Sequence, residues 1–499
     1  MANANILTKN ATGKRMPTLF EAVSSIVLLV ACFTIGTILK LNYVPIMALV
    51  GGYSAIISKR CGYTWKEMEV AVGERVRKAM PVTTVLVAVG ALIGGLIFSG
   101  TLPMLIYYGL QFVSPRWIAL SAFLLCCFFS IVTGTSNGSA STAGLAMMGL
   151  AMSMDNVNLG LVSGACYAGV IFGDKLSPIS DTTVMAALVT DNDLFDHIKH
   201  MSKTVIPAAL ISIVIYIVYG VTAPAAGGSG SASTLEMLGT LENMFKFNPI
   251  LLLPVVFILW GALTRKPANV LIFSAAFISV AIGVIYQGFS LTDGMECLYS
   301  GFRTKMILAV NPGFDVDGVS KAAAGLLNRG GISSMMKSFI TCFLCMYFAG
   351  ISEQCGILTV LLDRLLGFVK SRGSLVLVSG LSVTLLCAIG GSSTVGLLIG
   401  GELFKEKYEK MGMHSLNLSR TLEDFGTGAT GFFPWTYSGM LYLNVLSAPS
   451  TLTFLRYSYM SWFIWILAIT YGFTGICIKK LDTAEYTAAG KAAAGAAEA

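Results

Sequence analysis

The chain has 499 residues, of which 55% are hydrophobic and only 12% are charged, and its mean hydropathy is +0.75. Soluble globular domains carry about 25% charged residues, so this composition excludes that class and indicates an integral membrane protein. The net charge of +7 is modest for this length and its basic residues are scattered, which indicates no nucleic-acid-binding patch.

Apolar segments long enough to cross a bilayer recur along the whole chain. Residues 19–39, 82–102, 204–223, 374–391 and 461–478 can each span the roughly 30 Å of hydrocarbon, and we count about ten such spans in all. Alternating apolar and polar strands, as in a barrel, are absent, and lipid tolerates little besides helices. The sequence therefore predicts an all-α polytopic membrane protein, with shorter Gly-rich or Pro-interrupted segments between the spans.

The first of these interruptions is "TGTSNGSAST" at residues 133–142, between two apolar runs. We interpret it as the tip of a re-entrant helical hairpin at about residues 133–155. Ser136 and Asn137 would then offer hydroxyl and amide groups inside the membrane, where irregular backbone is tolerated only in protein or around a cavity. The alternative is close helix packing, which Gly and Ser also favour.

The second interruption is "FGDKLSPISDTT" at residues 172–183, where polar side chains follow an apolar run. Pro178 removes a backbone donor and displaces the carbonyl of Asp174, so we expect one helix to end near Gly173 and another to begin near Asp181. The segment 159–190 is thus a predicted broken helix. Ionisable groups at membrane depth are costly and indicate function, and hard oxygen ligands suit Na⁺ or a proton. The candidate cation- or proton-binding residues here are Asp174, Ser177, Ser180, Asp181 and Thr182. The alternative is a polar loop at the membrane surface.

Both interruptions recur about 256 residues later, in the same order. "GGSSTVG" at 390–396 corresponds to the first tip and predicts a hairpin at about 388–404. "FPWTYSG" at 433–439 corresponds to "SPISDTT" and predicts a broken helix at about 420–447 around Pro434. Asp174 corresponds to Thr430 and Asp181 to Tyr437, so the carboxylates belong to the first copy only. The candidate residues in the second copy are Asp424, Thr427 and Thr430 for a cation or proton, and Ser392, Ser393, Thr394 and Thr436 for a substrate or second site.

These correspondences predict a tandem duplication. We assign residues 1–223 to a first repeat, 224–247 to a Gly/Ser/Ala-rich linker, 248–480 to a second repeat and 481–499 to a low-complexity tail. Duplicated halves with interrupted helices in corresponding places are typical of secondary transporters, and the interruptions mark the expected binding site.

The stretch "GVIFGDKLSPISDTT", together with the "GTSNGS" tip, resembles the NhaC-type sodium/proton antiporter family, and the resemblance extends from residue 16 to about residue 480. It implies a secondary antiporter of a prokaryotic cytoplasmic membrane that exchanges Na⁺ for H⁺. It also implies two inverted repeats, each with a re-entrant hairpin and a broken transmembrane helix, elevator-like alternating access and a homodimer. The family's Ser-Asn-Thr hairpin motif is matched only in part, as Ser136-Asn137-Gly138 and Ser392-Ser393-Thr394. From the chemistry of the first broken helix and the first hairpin tip we expect Na⁺ at Asp174, Asp181, Ser136 and Asn137.

Relatives of the family also couple Na⁺ to organic solutes, including malate/lactate exchange. Lys175, the hairpin amides and the N-termini of the half-helices could equally hold a carboxylate, so a Na⁺- or H⁺-coupled exchanger of small organic solutes stays open as the alternative function.

An enzyme is not expected. The chain has three histidines, all in or near polar stretches, and no nucleophile–base pair or phosphate-binding loop. We expect no cofactor besides the transported Na⁺ and H⁺, and as partners the lipid bilayer, Na⁺ and, in the alternative, a small organic anion.

Overall fold

The computed structural model describes residues 13–39, 41–154, 156–222, 232–264, 266–319, 321–446 and 451–481. Regular structure in these ranges is helical, with one isolated β-bridge between Met413 and Lys480 and no strand. The predicted all-α class is therefore confirmed.

Several helices of the first half begin at a residue whose side chain caps the helix N-terminus. Thr18 and Thr64 each accept a hydrogen bond from the third residue of the following helix, and the glutamate at that position bonds back to the cap backbone. The helices are α1 Leu19–Ile38, α2 Tyr43–Arg60, α3 Trp65–Phe98, α4 Thr101–Phe112, α5 Ile118–Thr133, α6 Ser136–Ser139, α7 Leu145–Met152, α8 Leu159–Leu176, α9 Asp181–Val189, α10 Leu194–Thr222 and α11 Ala232–Met244; a π-helical turn, Ala140–Gly144, joins α6 to α7.

The second half has a comparable series of helices. They are α12 Leu253–Leu263, α13 Ala268–Ile282, α14 Leu291–Ser300, α15 Lys321–Leu327, α16 Ile332–Cys355, α17 Ile357–Leu366, α18 Arg372–Gly390, α19 Ser393–Lys410, α20 Ser415–Gly426, α21 Tyr437–Val445, α22 Thr451–Arg456 and α23 Tyr459–Thr474. Short 3₁₀ turns cover Pro249–Leu252, Thr304–Ala309 and Thr430–Phe432, and a π-helical turn covers Gly283–Gln287.

Among the described residues, six helices are long and apolar enough to cross a membrane, or up to eight if each bent pair counts as one span. The expected number was about ten. The count falls short because several predicted spans are shorter helices, such as α5 and α23. The predicted span 82–102 is also different, since α3 runs from Trp65 and is bent by 43° between Met80 and Thr83. These helices indicate that the chain is a multi-pass membrane protein.

The backbone conformations of the two halves repeat at the predicted spacing. Gly100 and Gly356, which separate α3 from α4 and α16 from α17, both adopt a left-handed conformation with φ +85°. Gly134 and Gly391, which end α5 and α18, have φ +64° and +68°. Helices α9 and α21 each contain nine residues. These local conformations therefore recur at the spacing of the sequence correspondences.

Packing between the halves is reciprocal. Helices α3 and α16, which correspond to each other in the sequence repeat, are in contact, and each also packs against helices of the other half: α3 against α13 and α14, and α16 against α2. Likewise α10 packs against α20, and the corresponding α23 packs against α8. These contacts between the halves bring both hairpin turns and both broken helices to one region.

Part of the predicted linker is helical. Helix α11 occupies residues 232–244 of the predicted linker 224–247, because "TLEMLGTLENM" has helical spacing of apolar residues that the preceding Gly/Ser run concealed. Residues 224–231 of that linker, and all of the predicted tail except residue 481, lie outside the described residues.

Candidate functional site

The first hairpin tip is a sharp turn between α5 and α6. Helix α5 ends at Thr133, Gly134 takes the left-handed conformation and Thr135 is extended. A Cβ atom at Gly134 would lie 2.5 Å from Cγ1 of Ile179, in the interruption of the broken helix. The tip and this interruption therefore touch, as a binding site built from both requires.

The first broken helix is interrupted by four residues between α8 and α9. Helix α8 continues to Leu176, three residues beyond the expected end, because the N–H of Ser177 still bonds to the carbonyl of Gly173 at 2.9 Å. The Asp174 carbonyl freed by Pro178 accepts a hydrogen bond of 2.9 Å from Thr183 Oγ1. The carbonyl of Asp174 therefore has a hydrogen-bond partner within the broken helix itself.

Two serines of this interruption have structural contacts. Ser177 Oγ donates to the carbonyl of Ile131 at 2.7 Å, which fixes the interruption to α5. Ser180 caps α9 by accepting from the Thr183 N–H, and its hydroxyl donates to Asp174 Oδ1 at 2.8 Å. Of the two, only Ser180 contacts a candidate carboxylate.

The second copy repeats this design with different partners. Ser392 is extended after Gly391, and the Gly390 carbonyl at the end of α18 accepts a hydrogen bond from the buried Arg75. The Thr430 carbonyl freed by Pro434 accepts a 2.5 Å hydrogen bond from Thr436 Oγ1, and Thr436 also caps α21. A contact of 3.2 Å between the hydroxyls of Ser393 and Thr430 joins the second tip to its own interruption.

Both tips and both interruptions line one cavity of about 290 Å³. Ten of the residues predicted from the sequence contribute to it: Ser136, Asn137, Asp174, Asp181, Thr182, Ser392, Ser393, Thr394, Thr427 and Thr430. The corresponding positions Asp174 and Thr430 both line it, as do Asp181 and Tyr437. The cavity is therefore pseudo-symmetric in position, with its two carboxylates on the side of the first repeat.

The two carboxylates have different environments. Asp174 is 3% exposed and accepts from Ser180, and the Ser136 hydroxyl is a further hydrogen-bond partner. Asp181 is exposed in the wall of the cavity. One carboxylate is thus already held by hydroxyl donors, whereas the other is open to an incoming ion.

Asn137 adds an oxygen atom that lacks a partner. Its Oδ1 is buried and makes no hydrogen bond among the described residues. A buried amide oxygen without a donor is costly and rare in folded proteins. Carboxylate, amide and hydroxyl oxygens form a hard donor set that suits an alkali cation. In the described part of the chain, no group of three or more His, Cys, Asp or Glu side chains is placed to hold a metal ion.

Lys175 lies outside the cavity lining, in contrast to its predicted role at a substrate site. It is 1% exposed, its Nζ is 3.7 Å from Glu423 Oε2, and it also donates to the carbonyl oxygen of Glu423. Successive residues of a helix point about 100° apart, so the side chain after Asp174 faces another direction. The structure therefore gives no support for an organic anion held by Lys175 in this cavity.

Asp424 also lies away from the cavity. Its Oδ1 accepts a hydrogen bond of 3.1 Å from Thr204 on α10, and the buried Arg420 is one turn earlier on α20. The acid nearer the site is the neighbouring Glu423, which is fully buried and accepts from Thr427 Oγ1. The sequence analysis missed Glu423, although its spacing of four residues from Thr427 was a usable signal.

Other cavity residues were also missed. Ser438 follows Tyr437 at the start of α21, and in the sequence repeat this pair corresponds to Asp181 and Thr182. Val85 of α3 and Asn269 of α13 also line the cavity. These last two belong to no repeated motif, so only the tertiary packing of α3 and α13 identifies them.

Comparison with known proteins gives a consistent result. The profile of the Na⁺/H⁺ antiporter family matches residues 169–476. The chain is 37% identical to an uncharacterized Na⁺/H⁺ antiporter of Haemophilus influenzae, over 94% of this chain and 98% of that one. It is 32% identical to a malate-2H⁺/Na⁺-lactate antiporter of Bacillus subtilis, over 92% and 96%. It is 31% identical to the Na⁺/H⁺ antiporter NhaC of the same species, over 83% and 88%.

Proposed function

Since this chain belongs to the Na⁺/H⁺ antiporter family, we propose that it is a secondary active antiporter that exchanges Na⁺ for H⁺ across a cytoplasmic membrane. The observation that carries the proposal is the cavity in which Asp174 and Asp181 meet the hairpin hydroxyls and the free amide oxygen of Asn137. The relatives named above are all antiporters, and we assign the chain no enzymatic activity and no cofactor.

Exchange follows from competition for the same oxygen atoms. A carboxylate that binds Na⁺ must be ionised, and a carboxylate that carries a proton has lost the charge that attracts the cation. Asp181 faces the cavity and receives the ion, while Asp174, with Ser136 and Asn137, completes the oxygen set. Bound Na⁺ or bound protons each reduce the negative charge of the two aspartates, so the loaded site moves less uncompensated charge through a low-dielectric region than the empty one.

The proposed transport movement is alternating access around this cavity. Two inverted repeats with the corresponding contacts of α10 with α20 and of α23 with α8 would present two equivalent openings. We propose that the hairpins and broken helices move together in an elevator-like manner against the remaining helices, in a homodimer. The contact of Gly134 with Ile179 and that of Ser393 with Thr430 support a common moving unit.

The second candidate function is Na⁺- or H⁺-coupled exchange of small organic solutes. The malate-2H⁺/Na⁺-lactate antiporter named above is a relative of similar coverage, and a cavity of about 290 Å³ is larger than one bare ion requires. Any carboxylate in this cavity would bind to hydroxyls, amides and helix N-termini, since Lys175 is paired with Glu423.

The decisive experiment uses the purified chain in liposomes that contain a trapped pH dye. A pH gradient is imposed, Na⁺ is added, and the assay is repeated with malate and lactate. Proton movement on Na⁺ alone is the expected result. Movement only in the presence of an organic acid would replace the main proposal with the second candidate.

A further inference from the structure

A second cavity, of about 320 Å³, lies between the start of α16, the end of α14 and the end of α21. We call it the arginine cavity, because two guanidinium groups line it. Ile93 and Met335 are the apolar residues of its described lining, which contains no Asp or Glu. The other lining residues are polar or small: Ser300, Arg303, Asn328, Arg329, Gly330, Ser333, Ser334 and Asn444.

The two arginines approach the cavity from different segments. Arg329 is half-buried, and its Nη2 lies 3.4 Å from the carbonyl oxygen of Asn444 on α21. Arg303 is exposed and donates from Nη2 to the Ser300 carbonyl at 3.1 Å. Guanidinium groups bind carboxylates and phosphates through paired N–H donors, so two of them around one space favour an oxyanion.

The start of α16 adds donors to the same space. Gly331 precedes this helix of 24 residues with φ +80°, and no side chain caps it. A Cβ at Gly330 or Gly331 would lie within 2.4 Å of backbone nitrogen atoms of Gly94 or Gly301, so the loop is pressed against α3 and the end of α14. Ser333 and Ser334 are exposed in the first turn. Uncapped N–H groups at a helix N-terminus attract anions.

The arginine cavity is separate from the cavity of about 290 Å³ that contains Asp174 and Asp181, which we call the cation cavity, but it lies along the same two helices. Val85 of α3 lines the cation cavity and Ile93 lines the arginine cavity. On α21, Ser438 lines the cation cavity and Asn444 lines the arginine cavity. At 1.5 Å per residue these steps correspond to about 12 Å along α3 and about 9 Å along α21. A cation placed inside the arginine cavity would be repelled by the two guanidinium groups that line it, so this cavity serves another ligand.

We propose that the arginine cavity binds an oxyanion, through Arg303, Arg329 and the first turn of α16. The shared chemistry is a carboxylate or phosphate group, supplied either by a free solute or by the headgroup of an anionic lipid. The proposal does not depend on Na⁺/H⁺ exchange, because none of these residues lines the cation cavity.

The test measures the thermal unfolding midpoint of the full-length protein in an uncharged detergent. Inorganic phosphate, malate and phosphatidylglycerol in mixed micelles are titrated separately against chloride at matched ionic strength. We expect a saturable rise with at least one of them. Arg303→Gln, at an exposed position that leaves folding intact, should weaken the apparent affinity about tenfold, and Arg329→Gln should weaken it more.

Two controls make the outcome specific. Arg372→Gln removes an exposed arginine at the start of α18 and should leave the titration unchanged, as should Asp174→Asn in the cation cavity. A rise with phosphate or malate identifies a free solute, and a rise with phosphatidylglycerol alone identifies a lipid. No saturable rise with any probe, or an equal rise in Arg303→Gln and in the wild type, would overturn the proposal.

Discussion

The two aspartates of the cation cavity are the residues on which the proposed exchange depends. We expect Asp174→Asn and Asp181→Asn each to lower Na⁺-driven proton movement in liposomes by about 100-fold or more, because an amide cannot alternate between a cation and a proton. Asp424→Asn is the control matched to Asp174→Asn, since both aspartates are buried but Asp424 bonds to Thr204 outside the cavity. Full transport in both of the first two variants would refute the assignment.

The pair formed by Lys175 and Glu423 gives a separate prediction about stability. Both side chains are buried, so Glu423→Gln leaves an uncompensated ammonium group and should cost about 3–5 kcal/mol, whereas the double variant Lys175→Met/Glu423→Gln should recover most of that loss. Thermal unfolding of the two variants in one detergent measures the difference. If the double variant is no more stable than the single one, the charges of Lys175 and Glu423 do not compensate each other.

Helix geometry explains which site residues the sequence could identify. Ser136, Asp181 and Ser392 follow a turn or an interruption, where the local sequence alone marks the exposed polar groups. Within the regular part of α8 and α20 the direction of each side chain depends on the helix phase. That is why Lys175 and Asp424 were placed in the site and Glu423 was not.

At the scale of elements, the two hairpin turns are equivalent in backbone but unequal in their surroundings. Gly134 and Gly391 both have positive φ, which costs an L residue about 1–2 kcal/mol. A Cβ at Gly134 would also meet Ile179, including its backbone carbon at 3.0 Å, whereas at Gly391 the nearest atom is the flexible end of Met346. Gly134→Ala should therefore destabilise the protein and impair transport more than Gly391→Ala.

This prediction is checked by comparing unfolding midpoints and initial transport rates of the two alanine variants. Equal losses would mean that the backbone conformation alone determines the cost. A larger loss in Gly391→Ala would contradict the contact of the first tip with the interruption after α8. Gly52→Ala, at an exposed helical position with open space around it, is the control for a glycine substitution without strain.

The elements themselves were largely predictable because proline and glycine end helices by local rules. Pro178 and Pro434 identified both interruptions, and "TGTSNG" and "GGSSTVG" identified both tips. Helix α11 was missed because a Gly/Ser run precedes it directly. The length of α3 was missed because its charged first half and apolar second half suggest two elements separated by Pro81, whereas the helix bends by 43° there and continues.

At the scale of the whole molecule, the two halves of the chain together form a cavity that is lined by residues of both. Reciprocal packing of α10 with α20 and of α23 with α8 joins the halves through exchanged contacts. The single cation cavity, with carboxylates from one repeat and hydroxyls from both, exists only after this packing. The arginine cavity likewise joins α3, α16 and α21, whose sequences are far apart.

The same single cavity predicts how exchange responds to pH. If Na⁺ and H⁺ compete for Asp174 and Asp181, lowering the pH raises the Na⁺ concentration needed for half-maximal exchange and leaves the rate at saturating Na⁺ nearly constant. In the range where protons occupy the site, each pH unit should shift the half-saturating Na⁺ concentration about tenfold, or more if both aspartates are protonated together. Initial rates in liposomes across a pH series measure it. A half-saturating concentration independent of pH, with only the maximal rate changing, would place the proton at another residue and separate the two transported ions in space.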